Sequence, residues 1–141
     1  MKKGIVLIAS LIFGLTFLGC ELETEENFHF VALEVVEAEV PDNFTLNGLH
    51  PINVTYLRPD DCTFFEGFDI VQGENGLRNI AAIGSTLTDR ECNQQIDSVQ
   101  AVLTVNAVFN GTYTLRFYAG SGEDGSPEYI VYEVPVVDRE D

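Results

Sequence analysis

From Phe28 onward, apolar residues recur at every second position. Val99, Ala101, Leu103, Val105, Ala107 and Phe109 alternate with polar neighbours such as Gln100, Thr104, Asn106 and Asn110. That is the period of a strand with one buried face. Tyr113, Leu115, Phe117 and Ala119 repeat it after Asn110-Gly111, a pair that suits a tight turn because both residues accept positive φ. Ile52, Val54 and Tyr56 mark another strand, ended by Arg58-Pro59-Asp60-Asp61. Residues 63–71 and 77–87 follow, split by the turn signal Gly73-Glu74-Asn75-Gly76, and residues 129–137 close the pattern. The first run, residues 28–40, changes phase. Val31, Leu33 and Val35 share one face, whereas Val36, Ala38 and Val40 keep the other parity. Such a slip predicts a β-bulge. No helical period is present. The expectation is an all-β fold, an antiparallel β-sandwich of about seven strands in one domain over residues 28–137.

The segment Asn110-Gly111-Thr112-Tyr113-Thr114-Leu115 resembles the turn entering strand F of immunoglobulin-like domains. The resemblance implies a tyrosine corner, with the Tyr113 hydroxyl bonded back to the backbone upstream. Leu115 stands where antibody domains carry a cysteine, and the chain has no tryptophan. The likeness is therefore to the broad immunoglobulin-like class.

The N-terminus follows different rules. Lys2 and Lys3 precede an uncharged run from Gly4 to Leu18, then small Gly19 and Cys20. This is the layout of a secretory signal over residues 1–19, shorter than the roughly 20 residues of a membrane-spanning helix. Phe17-Leu18-Gly19-Cys20 resembles the lipobox of bacterial lipoproteins, with Phe17 in place of the preferred Leu. The resemblance implies cleavage before Cys20, lipidation of that cysteine and anchoring to an envelope membrane. More than one acyl chain on one residue gives stable anchoring, since each buried methylene contributes about 0.8 kcal/mol. Residues 20–27 would then be the lipidated cysteine and an acidic tether. Glu21-Leu22-Glu23-Thr24-Glu25-Glu26 resembles the acidic signal that sends some Bacteroidota lipoproteins to the outer face of the outer membrane; a like-charged, solvated tether reads the same way. The whole chain resembles small cell-envelope lipoproteins with an immunoglobulin-like domain, followed here by an acidic tail over residues 138–141.

Charge narrows the partners. Removing Lys2 and Lys3 with the signal leaves five arginines against 23 acidic residues, a net charge of −18. Such a surface repels polyanions, which argues against nucleic acid and anionic lipid headgroups as ligands. A protein or glycan partner is compatible with it.

Cys62 and Cys92 remain after Cys20 is lipidated. Outside the cytoplasm, two thiols in a small domain predict a disulfide. Both lie in polar, loop-like contexts, so the bond is expected to staple two loops at one end of the sandwich.

Candidate chemistry is sparse. His29 and His50 have no metal-type spacing and are read as structural or surface residues. The 23 acidic residues single out no catalytic pair. No metal site is expected from the pattern. If calcium is held, Asp60, Asp61, Glu66 and Asp69 around Cys62 are the candidate oxygen donors, ahead of Glu123, Asp124 and Glu128. Solvated turns are the competing reading. Tyr118, Tyr129 and Tyr132 are candidates to stack on sugar rings or to serve as cross-strand partners. Asp97-Ser98-Val99 resembles the O-glycosylation sequence of exported Bacteroidota proteins, which marks Ser98 as a candidate acceptor. The leading expectation is a non-catalytic binding or structural module of the cell envelope, without a cofactor. A calcium-stabilised adhesion or carbohydrate-binding module and a small carboxylate-dependent hydrolase are the alternatives.

Overall fold

The computed structural model describes residues 26–138. The signal segment, Cys20, most of the tether and the end of the acidic tail lie outside them. Among the described residues the chain forms nine strands and no helix. These are β1 (Phe28–Leu33), β2 (Val35–Glu39), β3 (Phe44–Thr45), β4 (Leu49–Arg58), β5 (Thr63–Gln72), β6 (Leu77–Leu87), β7 (Asp97–Asn106), β8 (Thr112–Ser121) and β9 (Pro127–Val137). No described helix is long and apolar enough to cross a membrane.

The strands make two sheets packed as a β-sandwich. The larger has the order β1-β6-β8-β9-β3, with β5 on the remaining edge of β6; the smaller is β2-β4-β7. Side chains alternate across both. Ile52, Val54 and Tyr56 of β4 and Leu103 and Val105 of β7 meet Ile80, Ala82, Leu115, Phe117 and Val134 from the facing sheet in one core. Phe44, Tyr113 and Phe117 are fully buried, so aromatic rings supply much of the apolar surface removed from water.

The first run divides in two. β1 pairs with β6, whereas β2 pairs with β4 in the other sheet, so the chain changes sheets at Glu34. Leu33 and Val35 both stay buried, because the two sheets face one core and parity survives the crossing. The phase slip is a separate event, a register shift between Val35 and Glu37 that leaves Val36 facing water. This split and the two-residue β3 raise the expected seven strands to nine.

Five of the seven strand pairings are antiparallel, as expected, and two are parallel: β6 with β8, and β3 with β9. The reason lies in connectivity. Between β6 and β8 the chain crosses to the small sheet, runs along β7 and returns. Two reversals bring β8 back in the direction of β6. Asn110-Gly111 therefore carries the chain between sheets instead of closing a hairpin.

The Asn75-Gly76 turn does close a hairpin, β5 to β6. Both central residues have positive φ (52° and 78°), and the Leu77 N–H donates to the Glu74 carbonyl at 3.1 Å. This is the turn whose twist matches that of the flanking strands.

Candidate functional site

Three places in the fold carry features beyond packing: the disulfide end, the corner before β8, and the outer face of the large sheet.

At the disulfide end, Cys62 and Cys92 are bonded, with Cα atoms 5.6 Å apart. The bond joins the β4–β5 loop to residues 88–96 between β6 and β7 and does not cross the core. Hydrogen bonds reinforce it. The Asn93 N–H donates to Asp61 Oδ1 at 2.8 Å, and the Leu87 N–H donates to the Cys62 carbonyl at 3.1 Å. The chain also enters the sandwich here, since the Thr88 N–H donates to the Asn27 carbonyl at 2.8 Å.

The four carboxylates named as calcium candidates are not gathered into one cluster. Asp60 Oδ1 caps its own turn, accepting from the Cys62 N–H at 3.0 Å and from the Thr63 hydroxyl at 2.7 Å. Asp61 is occupied by Asn93. Glu66 accepts from the Ser85 hydroxyl at 2.5 Å. Asp69 lies farther along β5, on the outer face. The successive pleats of the strand separate them, so neighbours in sequence do not converge. Among the described residues, the one grouping of metal-ligating atom types is Asp60 with Cys62 and Cys92. Both sulfurs there are already bonded to each other. In the Asp124 turn, the Ser126 hydroxyl and N–H both donate to the carboxylate and hold its pKa below the usual range.

At the corner before β8, the Tyr113 hydroxyl accepts the Phe109 N–H at 2.9 Å. The Tyr113 ring meets Phe44 and Phe109 edge-on, at centroid distances of 5.6 and 5.9 Å. Nearby, His50 stacks on Phe44 at 4.7 Å and its Nε2 accepts the Thr45 N–H at 3.0 Å. His29 is exposed on β1, and Ser98 is exposed on β7 opposite Leu57.

The outer face of the large sheet carries several exposed aromatic and apolar side chains. Phe28 and Phe30 lie next to each other on β1, 5.4 Å apart and edge to face. Phe30 pairs with Ser85, and Ser85 pairs with Phe64, so Phe30 and Phe64 flank one row of the sheet. Phe30 is 65 % exposed and Phe64 48 %. On the same face, Tyr118 pairs with Tyr129 and Arg116 with Val131. The Arg116 guanidinium sits 4.2 Å above the Tyr129 ring. Tyr132 takes the other parity. It packs inward against Phe117, and its hydroxyl accepts the Ala38 N–H at 3.3 Å. Of the three tyrosines named as stacking candidates, Tyr118 and Tyr129 share a surface and Tyr132 does not.

A groove of about 200 Å³ opens beside these two rings, lined by Ala32, Asp69, Val71, Asn79, Tyr118 and Tyr129. Its origin is a fork in the sheet. β8 pairs with β6 as far as Ile80, and β1 pairs with β6 only from Ala82 onward. Between them, at Ala81, neither strand fills the edge. Asn79 was not singled out in the sequence and Asp69 only as a calcium donor, because only long-range pairing brings them beside Tyr118 and Tyr129.

No family model, curated protein or solved structure matches this chain.

Proposed function

We propose that this protein is a lipid-anchored, non-catalytic binding module of the bacterial cell envelope, held on the outer membrane through Cys20. The N-terminal features described above support the anchor. The uncovered outer face of the large sheet, with Phe28, Phe30, Phe64, Tyr118, Tyr129 and Val131 turned to solvent, carries the binding part. Large apolar and aromatic side chains left exposed on one face of a strongly charged protein mark a contact site. A disulfide-stapled sandwich suits this role, because a rigid sheet presents its side chains with little ordering cost on binding.

On this reading the point of chain entry suggests how the module would be oriented. Asn27 pairs at the disulfide end, so a bilayer anchored at Cys20 would lie beyond that end. The Asn75-Gly76 hairpin and the Tyr113 corner would face away from it.

Fractionation of cells expressing the wild-type chain and Cys20→Ser tests the reading. The wild type is expected with the outer membrane, and the variant is expected to leave it. A variant that still sediments with membranes as the wild type does would remove the anchor from the account.

A further inference from the structure

We propose, on the reading above of a binding module, that the fork groove on the large sheet is the ligand site and that it takes a neutral saccharide.

Four observations converge on it. Tyr118 and Tyr129 stand at 76° to each other with centroids 6.4 Å apart, and so form a corner with two aromatic walls. Both rings are held in place. The Tyr118 hydroxyl lies 3.2 Å from Ser121 Oγ, and Arg116 lies over Tyr129. Asn79 Oδ1 is buried at the groove and has no hydrogen-bond partner. A buried acceptor left without a donor costs about 1–3 kcal/mol, so its position asks for a donor from outside. Asp69, on the opposite wall, is exposed and makes no side-chain hydrogen bond or ion pair among the described residues. The groove thus offers aromatic faces together with hydrogen-bond acceptors.

A sugar ring presents the complementary surface. Its axial C–H groups form an apolar face that lies flat on an aromatic ring, and its equatorial hydroxyls donate outward in the ring plane. One hydroxyl would reach the Asp69 carboxylate, and another would reach Asn79 Oδ1 once that amide turns toward the groove. The groove's volume is of the order of a single ring, and the groove is open to solvent, so a longer chain would run across the sheet past Val71 or Val131. The net charge of −16 on the full chain disfavours uronic, sialic or sulfated sugars. Arg116, over the Tyr129 ring, is one cation against the free Asp69 carboxylate in the same groove, so the groove itself carries no net positive charge to hold an acidic sugar. The class is therefore a neutral hexose or N-acetylhexosamine polymer.

The chain has no tryptophan and five tyrosines, two of which line the groove, so tyrosine fluorescence includes a signal from it and the Tyr129→Ala variant assigns any change to that site. The detergent-purified lipoprotein would be titrated with cellohexaose, maltohexaose, mannohexaose and chitohexaose. At least one is expected to change the emission saturably. Tyr129→Ala and Asp69→Asn are expected to weaken that ligand about tenfold or more; Asp69 is exposed, so its variant keeps the fold. Tyr132→Phe, which alters an inward-facing ring, is expected to bind as the wild type does. The proposal falls if no oligosaccharide of the panel binds. It falls equally if binding survives both Tyr129→Ala and Asp69→Asn, or if hexaarginine binds there and no saccharide does, which would assign the acidic aromatic corner to a cationic peptide. Saccharide silence in a protein that still fractionates with the outer membrane overturns the ligand and leaves the anchor intact.

Discussion

Tyr113 and Phe109 hold each other twice: the Tyr113 hydroxyl accepts the Phe109 N–H at 2.9 Å, and the two rings meet edge to face at 5.9 Å. The contact fixes the corner where the chain leaves the small sheet for β8. Tyr113→Phe keeps the ring contacts and removes the acceptor, leaving the Phe109 N–H without its partner. The expected loss is about 1–3 kcal/mol of stability, read as a lower urea midpoint with an unchanged m-value. A variant as stable as the wild type would show that water replaces the hydroxyl.

The two glycines with φ near 80° separate backbone strain from steric clash. Gly76 has φ +78°, and an added Cβ would lie 2.7 Å from the Thr112 carbonyl oxygen and 2.9 Å from the Phe109 ring. Gly125 has φ +80° and open space around the same position. Gly125→Ala is expected to cost only the left-handed backbone penalty, about 1–2 kcal/mol. Gly76→Ala should cost more, because the β5–β6 hairpin must also move away from β8. Parallel thermal melts of the two variants check the order; equal losses would mean that the hairpin yields freely.

The alternation from Val99 to Phe109 and from Tyr113 to Ala119 was sufficient to locate β7 and β8 to within a few residues, because each keeps one face in the core. The same logic located Gly73–Gly76 as a turn and the slip near Val36 as a bulge. It could not reveal the crossing at Glu34. Leu33 and Val35 face one core from two different sheets, so their parity is unbroken. Nor could it reveal Phe44–Thr45, where two residues are too few to carry a period. The groove was legible only in part. Tyr118 and Tyr129 stand out as aromatics on polar faces, but Asn79 and Asp69 join them through pairings between strands distant in sequence. Local pattern specifies which side chains point outward; register specifies which of them meet.

The Cys62–Cys92 bond closes a loop with a sequence separation of 30 residues. Chain-entropy arguments assign such a cross-link about 3–4 kcal/mol. Reduction is therefore expected to lower the unfolding free energy by about that amount, read as a lower urea midpoint, while leaving the sheets assembled under native conditions. The loss should begin locally, since the bond pins residues 88–96 and they have few other contacts to hold them. Hydrogen exchange on the reduced protein would show faster exchange at the Asn93 N–H and the Asp61 N–H, which form the loop-to-loop bonds. Exchange at β4 and β7 core amides should change only through global stability. Uniform loss of protection would place the disulfide in the cooperative core instead.

Tyr56 makes alkaline stability a test of core burial. Its side chain packs in the core, 3 % exposed, and stacks on Phe65 at 5.0 Å. Burial disfavours the phenolate and raises its pKa above the ordinary 10.0, with the Arg58 charge opposing only in part. The folded state therefore holds the proton more tightly than the unfolded chain. The resulting stability is fully present below pH 10.0 and is lost as the pH rises through the raised folded value. Urea midpoints measured in steps from about pH 8 to about pH 11, the range that brackets an ordinary tyrosine, should fall on the alkaline side. Tyr56→Phe cannot ionise and keeps the stacked ring, so its curve should fall less steeply there. Parallel curves for the two proteins would mean that Tyr56 reaches solvent before it titrates, and the fall would then belong to the other tyrosines and to the charge repulsion of an acidic surface.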